Sequence, residues 1–314
     1  MAMKMTGKKV ALALGGGGVR GFAHLGVLKV LEEERIDIDL IAGTSAGALI
    51  GGAYAAGLSP RKIQKRIDDY LASPEFRDSE LKSIGTSMCP DADAGSLTRF
   101  QMYLLNQYYM LRSFFRLSVL PAREFTSLID HFIPDMDIRQ TRVPLLVVAT
   151  DLLKGQKIVF SEGPLRQAVL ASCSVPGAVE PFRWGEWLLA DGGITSLVPV
   201  QAAREAGADM VIAVVVEREI EEVPQLETAR DVFYRAGEIT ADRLQDEELR
   251  EADVVIRPSL GDVHWMNYSG ARDLVRKGEE ATREALGRIE GALPFFKRSF
   301  RFASRLIPSR RRKS

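Results

Sequence analysis

Residues 38–47 read Ile-Asp-Leu-Ile-Ala-Gly-Thr-Ser-Ala-Gly, an apolar strand that leads into a Gly-x-Ser-x-Gly turn. The small residues that follow predict a tightly packed helix over residues 45–56. Gly43 and Gly47 permit the sharp strand-to-helix turn that lifts a serine hydroxyl clear of the backbone at a helix N-terminus. The stretch therefore predicts an α/β fold in which Ser45 is a candidate nucleophile.

Short apolar strands alternate with helices along most of the chain. We predict strands at residues 10–14, 38–42, 145–150, 157–160, 187–190, 210–216 and 254–257, and further helices at 19–34, 60–71, 165–172, 200–206, 228–249 and 270–289. This alternation is typical of an α/β fold with a mostly parallel central sheet flanked by helices.

The chain has 314 residues, and we expect one domain over residues 1–293 followed by a tail at 294–314. Residues 73–123 carry no predicted strand, and they form either a helical cap over the core or a lid-like insertion facing a membrane. Their segment 97–120 is rich in aromatic residues and its charges are all basic. The tail has eight basic side chains and no acidic one, which leaves 34 basic against 42 acidic side chains in the rest.

The basic segments suit an anionic surface, and we expect a membrane rather than a nucleic acid as that surface. The tail is either a basic amphipathic helix or a disordered stretch. Cys89 and Cys173 fit a reducing cytoplasm and argue against a disulfide scaffold. No uninterrupted apolar run is long enough to predict a transmembrane helix. We therefore expect a cytoplasmic protein, with peripheral membrane association left open.

A glycine-rich loop, Gly-Gly-Gly-Gly-Val-Arg-Gly at residues 15–21, follows the first strand. Gly16, Gly18 and Gly21 match the Gly-x-Gly-x-x-Gly dinucleotide fingerprint, which also requires an acidic residue where the second strand ends. That strand ends instead in Ala-Gly-Thr-Ser, and no Gly-Lys-Ser/Thr follows to make a phosphate loop. Amides of consecutive glycines also suit an oxyanion hole. Arg20 is placed to support the loop or to meet a phosphate, unless it is an ordinary surface arginine.

The serine requires a general base, and the chain offers three histidines and one well-placed aspartate. His24 lies in the first helix and His131 beside Phe132, whereas His264 alone has the late position of a Ser…Asp…His triad. Only one predicted strand precedes the strand that leads into Ser45, which counts against an ordinary triad hydrolase. Asp191 directly follows a short apolar strand and precedes two glycines, so it is the better candidate, the alternative being a plain Asp-Gly turn.

Four motifs in order resemble the signature of the patatin-like phospholipases. They are the glycine loop with Arg20 at residues 15–21, Gly-x-Ser-x-Gly at 43–47, Ala-Ser-x-x-x-Pro at 171–176 and Asp-Gly-Gly at 191–193. The resemblance covers about residues 8–216 and implies a three-layer α/β fold. It does not extend to residues 73–123 or to the tail.

The resemblance implies a Ser-Asp dyad without histidine. Ser45 would attack the acyl carbonyl, and Asp191, supported by the turn at Gly192 and Gly193, would take its proton and later activate water. The oxyanion would be held by the amides around Gly16, Gly17 and Gly18 of the glycine loop. No metal and no organic cofactor is implied.

We therefore expect a serine acyl hydrolase that cleaves acyl esters of phospholipids, lysophospholipids or related lipids. Three alternatives stay open at this point. One is a Ser-Asp-His triad esterase that uses His264, the second a non-catalytic lipid-binding membrane scaffold, and the third acyl transfer to an alcohol by the same dyad.

Overall fold

A central mixed sheet organises the molecule. The computed structural model describes residues 8–83, 117–120, 122–218, 220–268 and 270–294. The strands are β1 (Val10–Leu14), β2 (Leu40–Thr44), β3 (Ser118–Leu120), β4 (Leu145–Asp151), β5 (Gln156–Phe160), β6 (Gly177–Val179), β7 (Phe182–Trp184), β8 (Trp187–Asp191), β9 (Met210–Val214) and β10 (Val254–Ile256). Within the described residues the sheet order is β10-β9-β1-β2-β4-β8-β7, and β5 pairs with the other edge of β4.

The sheet has a parallel half and an antiparallel half. Strands β10, β9, β1, β2 and β4 pair in parallel. Strand β4 then pairs antiparallel with β8 and with β5, and β8 pairs antiparallel with β7. Strands β1, β2, β4 and β9 are buried along their whole length, which explains their nearly continuous apolar sequences.

Helices cover both faces of the sheet. The helices are α1 (Phe22–Glu33), α2 (Ala46–Ala55), α3 (Pro60–Ala72), α4 (Pro74–Arg77), α5 (Ala122–Phe132), α6 (Leu165–Ser172), α7 (Val200–Glu205), α8 (Ala229–Leu249) and α9 (Ala271–Ala292), with 3₁₀ turns at Gly18–Gly21, Ile138–Gln140 and Gly192–Ile194. Val10, Leu12 and Leu14 face the core under α1, α2, α3, α5, α6 and α9, whereas Ala11 and Ala13 face α7 and the end of α8. Because the side chains of one strand alternate between two cores, the sheet is the middle layer of the three-layer architecture that we expected.

The structure differs from the sequence predictions in several short elements. Strand β2 starts two residues later than predicted and continues to Thr44, directly before Ser45. The first helix is preceded by a 3₁₀ turn, because the chain enters it from the glycine loop. Residues 73–123 do contain a strand, β3, which pairs with β6. These three-residue strands are too short to leave a period-two pattern.

Several sequence-based predictions fall outside the described residues. They include Cys89, residues 97–116 of the aromatic segment 97–120, and the tail from residue 295 onward. Across the described part of the chain, no helix combines the length and the apolar character that crossing a membrane requires.

Candidate active site

Ser45 and Asp191 lie where two strands end facing each other along one edge of β4. Strand β2 runs parallel to β4, and its last residue, Thr44, is paired with Val148. Strand β8 runs antiparallel to β4, and its last residue, Asp191, is paired with Ala149. Because the two partner positions on β4 are consecutive and the two strands run in opposite directions, their carboxyl ends meet. The topology therefore brings together two residues that are far apart in sequence.

The turn at Ser45 is a strained strand-to-helix elbow. Ser45 adopts φ 53° and ψ −121°, a conformation that few non-glycine residues take. A Cβ on Gly43 would lie 2.7 Å from the backbone of Ala48, and one on Gly47 would lie 2.0 Å from the Leu14 carbonyl oxygen. Both positions therefore require glycine because α2 folds back closely over β1 and β2. This packing matches the role predicted for the two glycines.

Ser45 and Asp191 form a buried pair. Their exposed fractions are 6% and 7%. Burial raises the pKa of Asp191 to about 6, although the hydrogen bonds from the Ser45 side chain and the Gly193 amide oppose the rise. The Gly193 N–H donates to Asp191 Oδ1 at 2.7 Å. A carboxylate with this pKa is ionised at neutral pH and basic enough to share the proton of a neighbouring hydroxyl.

The Asp-Gly-Gly turn packs directly on the neighbouring strand. A Cβ on Gly192 would lie 2.3 Å from the Val148 carbonyl oxygen, so this position accommodates only glycine. Thr150 Oγ1 donates to the Asp191 carbonyl at 3.1 Å and lies 2.9 Å from Thr195 Oγ1. The turn that carries the carboxylate is thus fixed by both backbone packing and hydroxyl contacts.

The glycine loop approaches Ser45 from the other side. A Cβ on Gly16 would lie 3.3 Å from the Ser45 Cβ. The Gly16 amide donates to the Leu197 carbonyl at 2.9 Å. Gly17 and Gly18 have φ values of 153° and 57°, and within the described residues neither amide has a backbone acceptor. Of the three amides that we expected in the oxyanion hole, those of Gly17 and Gly18 are therefore the available donors.

Arg20 supports the loop rather than lying on the surface. Its side chain is 6% exposed. Its Nε donates to the Gly17 carbonyl at 3.2 Å, and its guanidinium forms an ion pair with Glu217. Gly21, next along the chain, packs on Ala46, where an added Cβ would lie 2.4 Å away from the Ala46 Cβ. The surface alternative for Arg20 is excluded, and the loop-supporting one agrees with these contacts.

The three histidines are engaged elsewhere in the fold. His24 Nε2 lies 2.8 Å from the Gly15 carbonyl, and burial lowers the pKa of His24 to about 4, so the neutral ring donates this bond. His131 Nε2 contacts the Arg66 carbonyl at 3.1 Å. His264 Nδ1 accepts from the Met266 amide at 3.3 Å, and burial together with the charge of Arg20 lowers its pKa. Each ring therefore has a partner other than Ser45.

An apolar cavity of about 80 Å³ opens beside Ser45. Apart from the loop residue Gly18 and Ser45 itself, its walls are mostly aliphatic and aromatic. Cys173 lines it as well, and burial together with the nearby Asp191 carboxylate raises the pKa of this thiol. The members include Phe22, Leu49, Ile67, Leu71, Phe125 and Leu128. Walls of this character suit a hydrocarbon chain better than a polar group.

A second, polar cleft lies next to the same loop. Arg20, Glu217 and Gln245 line it, as do His264 and Trp265. Trp265 also lines the apolar cavity, and its carbonyl accepts the Val19 amide at 2.9 Å. The apolar cavity and the polar cleft are therefore neighbours that share Trp265. Among the residues that the structure describes, no three side chains of the His, Cys, Asp and Glu types gather into a metal-binding group.

Several residues that build the site were not predicted from the sequence. The Leu197 carbonyl accepts a hydrogen bond from the Gly16 amide, and Trp265 packs against Gly18 at the cavity wall. Ser172 accepts a hydrogen bond from the Ser45 amide. Ser172 lies within the Ala-Ser-x-x-x-Pro motif, so its position had a signal, although the motif by itself indicates only the end of a helix. Leu197 and Trp265 have no such signal because their contacts depend on the tertiary fold.

The chain is similar in sequence to several known proteins. The chain is 36% identical over 206 residues to an uncharacterized NTE family protein of Mycobacterium tuberculosis, covering 66% of this chain and 48% of that protein. It is 32% identical over 217 residues to human patatin-like phospholipase domain-containing protein 6, covering 68% of this chain and 14% of the human protein. The chain thus spans about half the length of the mycobacterial relative and far less of the human one.

Two solved structures resemble the chain more distantly. VipD from Legionella pneumophila has a TM-score of 0.45 at 16% identity, covering 90% of this chain and 67% of that one. ExoU, in its heterodimeric complex with SpcU from Pseudomonas aeruginosa, has a TM-score of 0.39 at 22% identity, covering 90% of this chain and 51% of that one. The family model for patatin-like phospholipases matches residues 12–204, more than half of the chain, and the matched range contains both Ser45 and Asp191. The chain belongs to the patatin-like phospholipase family.

Proposed function

We propose that the protein is a serine acyl hydrolase that cleaves lipid acyl esters through Ser45 and Asp191. The observation that carries this proposal is the buried serine–aspartate pair at an elbow that opens onto an apolar cavity. Family membership supports the same reaction class. Since one fold hosts many functions, the site, and not the family alone, supports the proposed reaction.

The reaction proceeds in two steps. In acylation, the Asp191 carboxylate accepts the Ser45 proton while Oγ bonds to the acyl carbon and the carbonyl oxygen becomes an oxyanion. The amides of Gly17 and Gly18 donate to this oxyanion. When the tetrahedral intermediate collapses, the bond to the alcohol oxygen breaks and Asp191 returns the proton to the leaving alcohol. In deacylation, Asp191 takes a proton from water, the hydroxide attacks the acyl-enzyme, and the carboxylic acid leaves as Ser45 regains its proton.

The cavity walls favour a substrate with a hydrocarbon chain on the acyl side. Burial of each methylene contributes about 0.8 kcal/mol, so a lipid acyl chain binds far more strongly than an acetyl group. The polar cleft beside the loop suits an alcohol portion that carries polar or charged groups. Phospholipids and lysophospholipids combine these two features, so we propose them as substrates ahead of neutral esters.

A hydrolysis assay with a panel of lipids tests the proposal. We expect the wild-type protein to release fatty acid from phospholipids or lysophospholipids, and Ser45→Ala to release none above background. Ser196→Ala is the matched control, because Ser196 is also a buried serine bonded to a carboxylate. A folded wild-type protein that binds lipid without releasing fatty acid would favour the scaffold alternative.

We also propose that the protein is cytoplasmic and associates peripherally with anionic membranes. The support is the basic character of residues 294–314 and of residues 97–120. Sedimentation with phosphatidylserine vesicles tests this association. We expect binding that weakens with salt and that falls several-fold in the full chain carrying Arg310→Gln, Arg311→Gln and Arg312→Gln. Unchanged binding by that variant would remove the role of the tail.

A further inference from the structure

The last residue of α6 and the turn that follows it accept hydrogen bonds from the backbone amides of both members of the proposed dyad. Ser172 Oγ accepts from the Ser45 amide at 2.8 Å. The Ser174 carbonyl accepts from the Asp191 amide at 2.9 Å. We propose that Ser172 is a positioning residue that keeps Ser45 in register with Asp191 without touching the substrate. This inference rests on the proposed function, since it assigns a role within the same reaction.

The Ser172 hydroxyl closes a break in the hydrogen bonding of the sheet. Between Val148 and the next residue, the partner of β4 changes from the parallel strand β2 to the antiparallel strand β8. The Ser172 hydroxyl donates to the Val148 carbonyl at 2.6 Å while it accepts from the Ser45 amide. A hydroxyl is the smallest side-chain group that can do both. One side chain thus bridges a carbonyl on β4 and the amide of the nucleophile.

Burial makes this bridge hard to replace. Ser172 is fully buried, so water from the surface has no direct access to its place. Ser45 holds a strained conformation, with φ at 53°, which persists only where surrounding contacts enforce it. Without the Ser172 hydroxyl, the buried Ser45 amide would lose its acceptor, and rotation of the elbow toward a relaxed conformation would carry Oγ away from Asp191.

The same carbonyl that orients Ser172 also contacts the turn that carries the base. A Cβ on Gly192 would lie 2.3 Å from the Val148 carbonyl oxygen, which is also the acceptor of the Ser172 hydroxyl. The Val148 carbonyl therefore contacts both Gly192 and Ser172 and sets their positions relative to each other. Catalysis is sensitive to such placement, since a shift of about 1 Å in a reacting group can lower a rate by about 100-fold. Loss of the bridge should therefore affect the chemical step more than substrate binding.

Ser172→Ala tests the proposal, with Ser174→Ala as the matched control. Ser174 is also buried, and its hydroxyl donates to the Leu170 carbonyl at 2.9 Å, but its contact with Asp191 is made by the backbone. We expect Ser172→Ala to lower kcat between about 10-fold and 100-fold with KM within about twofold. Ser174→Ala should keep both constants within about twofold. Equal kcat values for the two variants, or a change in KM alone, would overturn the proposal.

Two further measurements keep the test decisive. Ser172→Cys places a larger sulfur where the hydroxyl oxygen lies and offers only a weak hydrogen-bonding group, so it should lower kcat as the alanine variant does and replaces that variant if the alanine variant folds poorly. Hydrogen exchange of the Ser45 amide should be at least about tenfold faster in Ser172→Ala than in wild type or Ser174→Ala. Because exchange needs no turnover, it decides the positioning role even if the wild type hydrolyses no lipid. An unchanged exchange rate would overturn the inference.

Discussion

The part of the chain that the structure describes contains two buried serine–carboxylate pairs, and the serine of one of them lines the apolar cavity. Ser45 and Asp191 form the first pair. In the second, Ser196 Oγ donates to Glu248 Oε1 at 2.5 Å. Burial raises the pKa of Asp191 to about 6 and that of Glu248 to about 6 as well. Residue types, hydrogen bonding and acidity therefore do not distinguish the two pairs.

The backbone and the surroundings do distinguish them. Ser45 has a strained φ at a strand end and lines the apolar cavity beside the glycine loop. Ser196 is fully buried, and its carbonyl accepts from Thr44 Oγ1 at 2.9 Å, which ties it into the packing beneath the elbow. We therefore expect the elbow, and the access to substrate that it gives, to make the first pair reactive. The second pair then acts as an internal control.

The largest expected effect separates the two carboxylates. Asp191→Asn should lower kcat/KM for lipid ester hydrolysis by about 10³-fold or more, because an amide cannot accept the Ser45 proton. Glu248→Gln should keep kcat/KM within about threefold, since Glu248 contacts no substrate in this account. The assay uses the best substrate of the lipid panel, with circular dichroism as the check on folding. Comparable losses in both variants would break the distinction between the pairs.

The pH dependence should report Asp191 alone. Because the base must be deprotonated, kcat/KM should reach a plateau above pH 6 and fall about tenfold for each pH unit below it, following a pKa of about 6. The Glu248→Gln variant should show the same midpoint. A midpoint that moves in that variant would mean that Glu248 controls the reaction.

Both carboxylates should lower stability at alkaline pH. Their folded-state pKa values lie above the unfolded ones, so stability is fully present below the unfolded pKa and is lost as pH rises through about 6. At pH 8, Asp191→Asn should raise the free energy of unfolding by at most about 3 kcal/mol and Glu248→Gln by at most about 2 kcal/mol. Urea denaturation at pH 8 and pH 5 measures the gain, which should be smaller at pH 5. A lower free energy of unfolding in either variant at pH 8 would contradict the inference that burial of the charged carboxylate destabilises the fold.

The smallest expected effect is at His264. Its ring accepts from the Met266 amide and lies in the polar cleft. His264→Ala should therefore leave kcat within about twofold, measured in the same assay. A loss of activity comparable to that of Asp191→Asn, in a folded protein, would revive the Ser-Asp-His triad.

Much of the parallel half of the sheet is predictable from the sequence, because its strands are short apolar runs separated by helices with clear periodicity. Family membership was also predictable, since its four motifs are local in sequence. The strands β3, β6 and β7 were not, because three residues carry no periodic signal, whereas the equally short β10 was predicted from its apolar run. The meeting of Ser45 and Asp191 follows from strand order and direction around β4, and a pattern of single strands does not encode these. The bridge at Ser172 depends on that junction and was missed for the same reason.

Labelling with a fluorophosphonate probe tests the central claim most directly. We predict that peptide mass spectrometry of the treated wild-type protein finds one adduct, on Ser45, and that Ser45→Ala takes none. Because Ser196 has a carboxylate partner of similar pKa, its failure to react would show that the elbow and the cavity create the nucleophile. A folded wild-type protein that resists the probe, or an adduct on Ser196 in place of Ser45, would contradict the account.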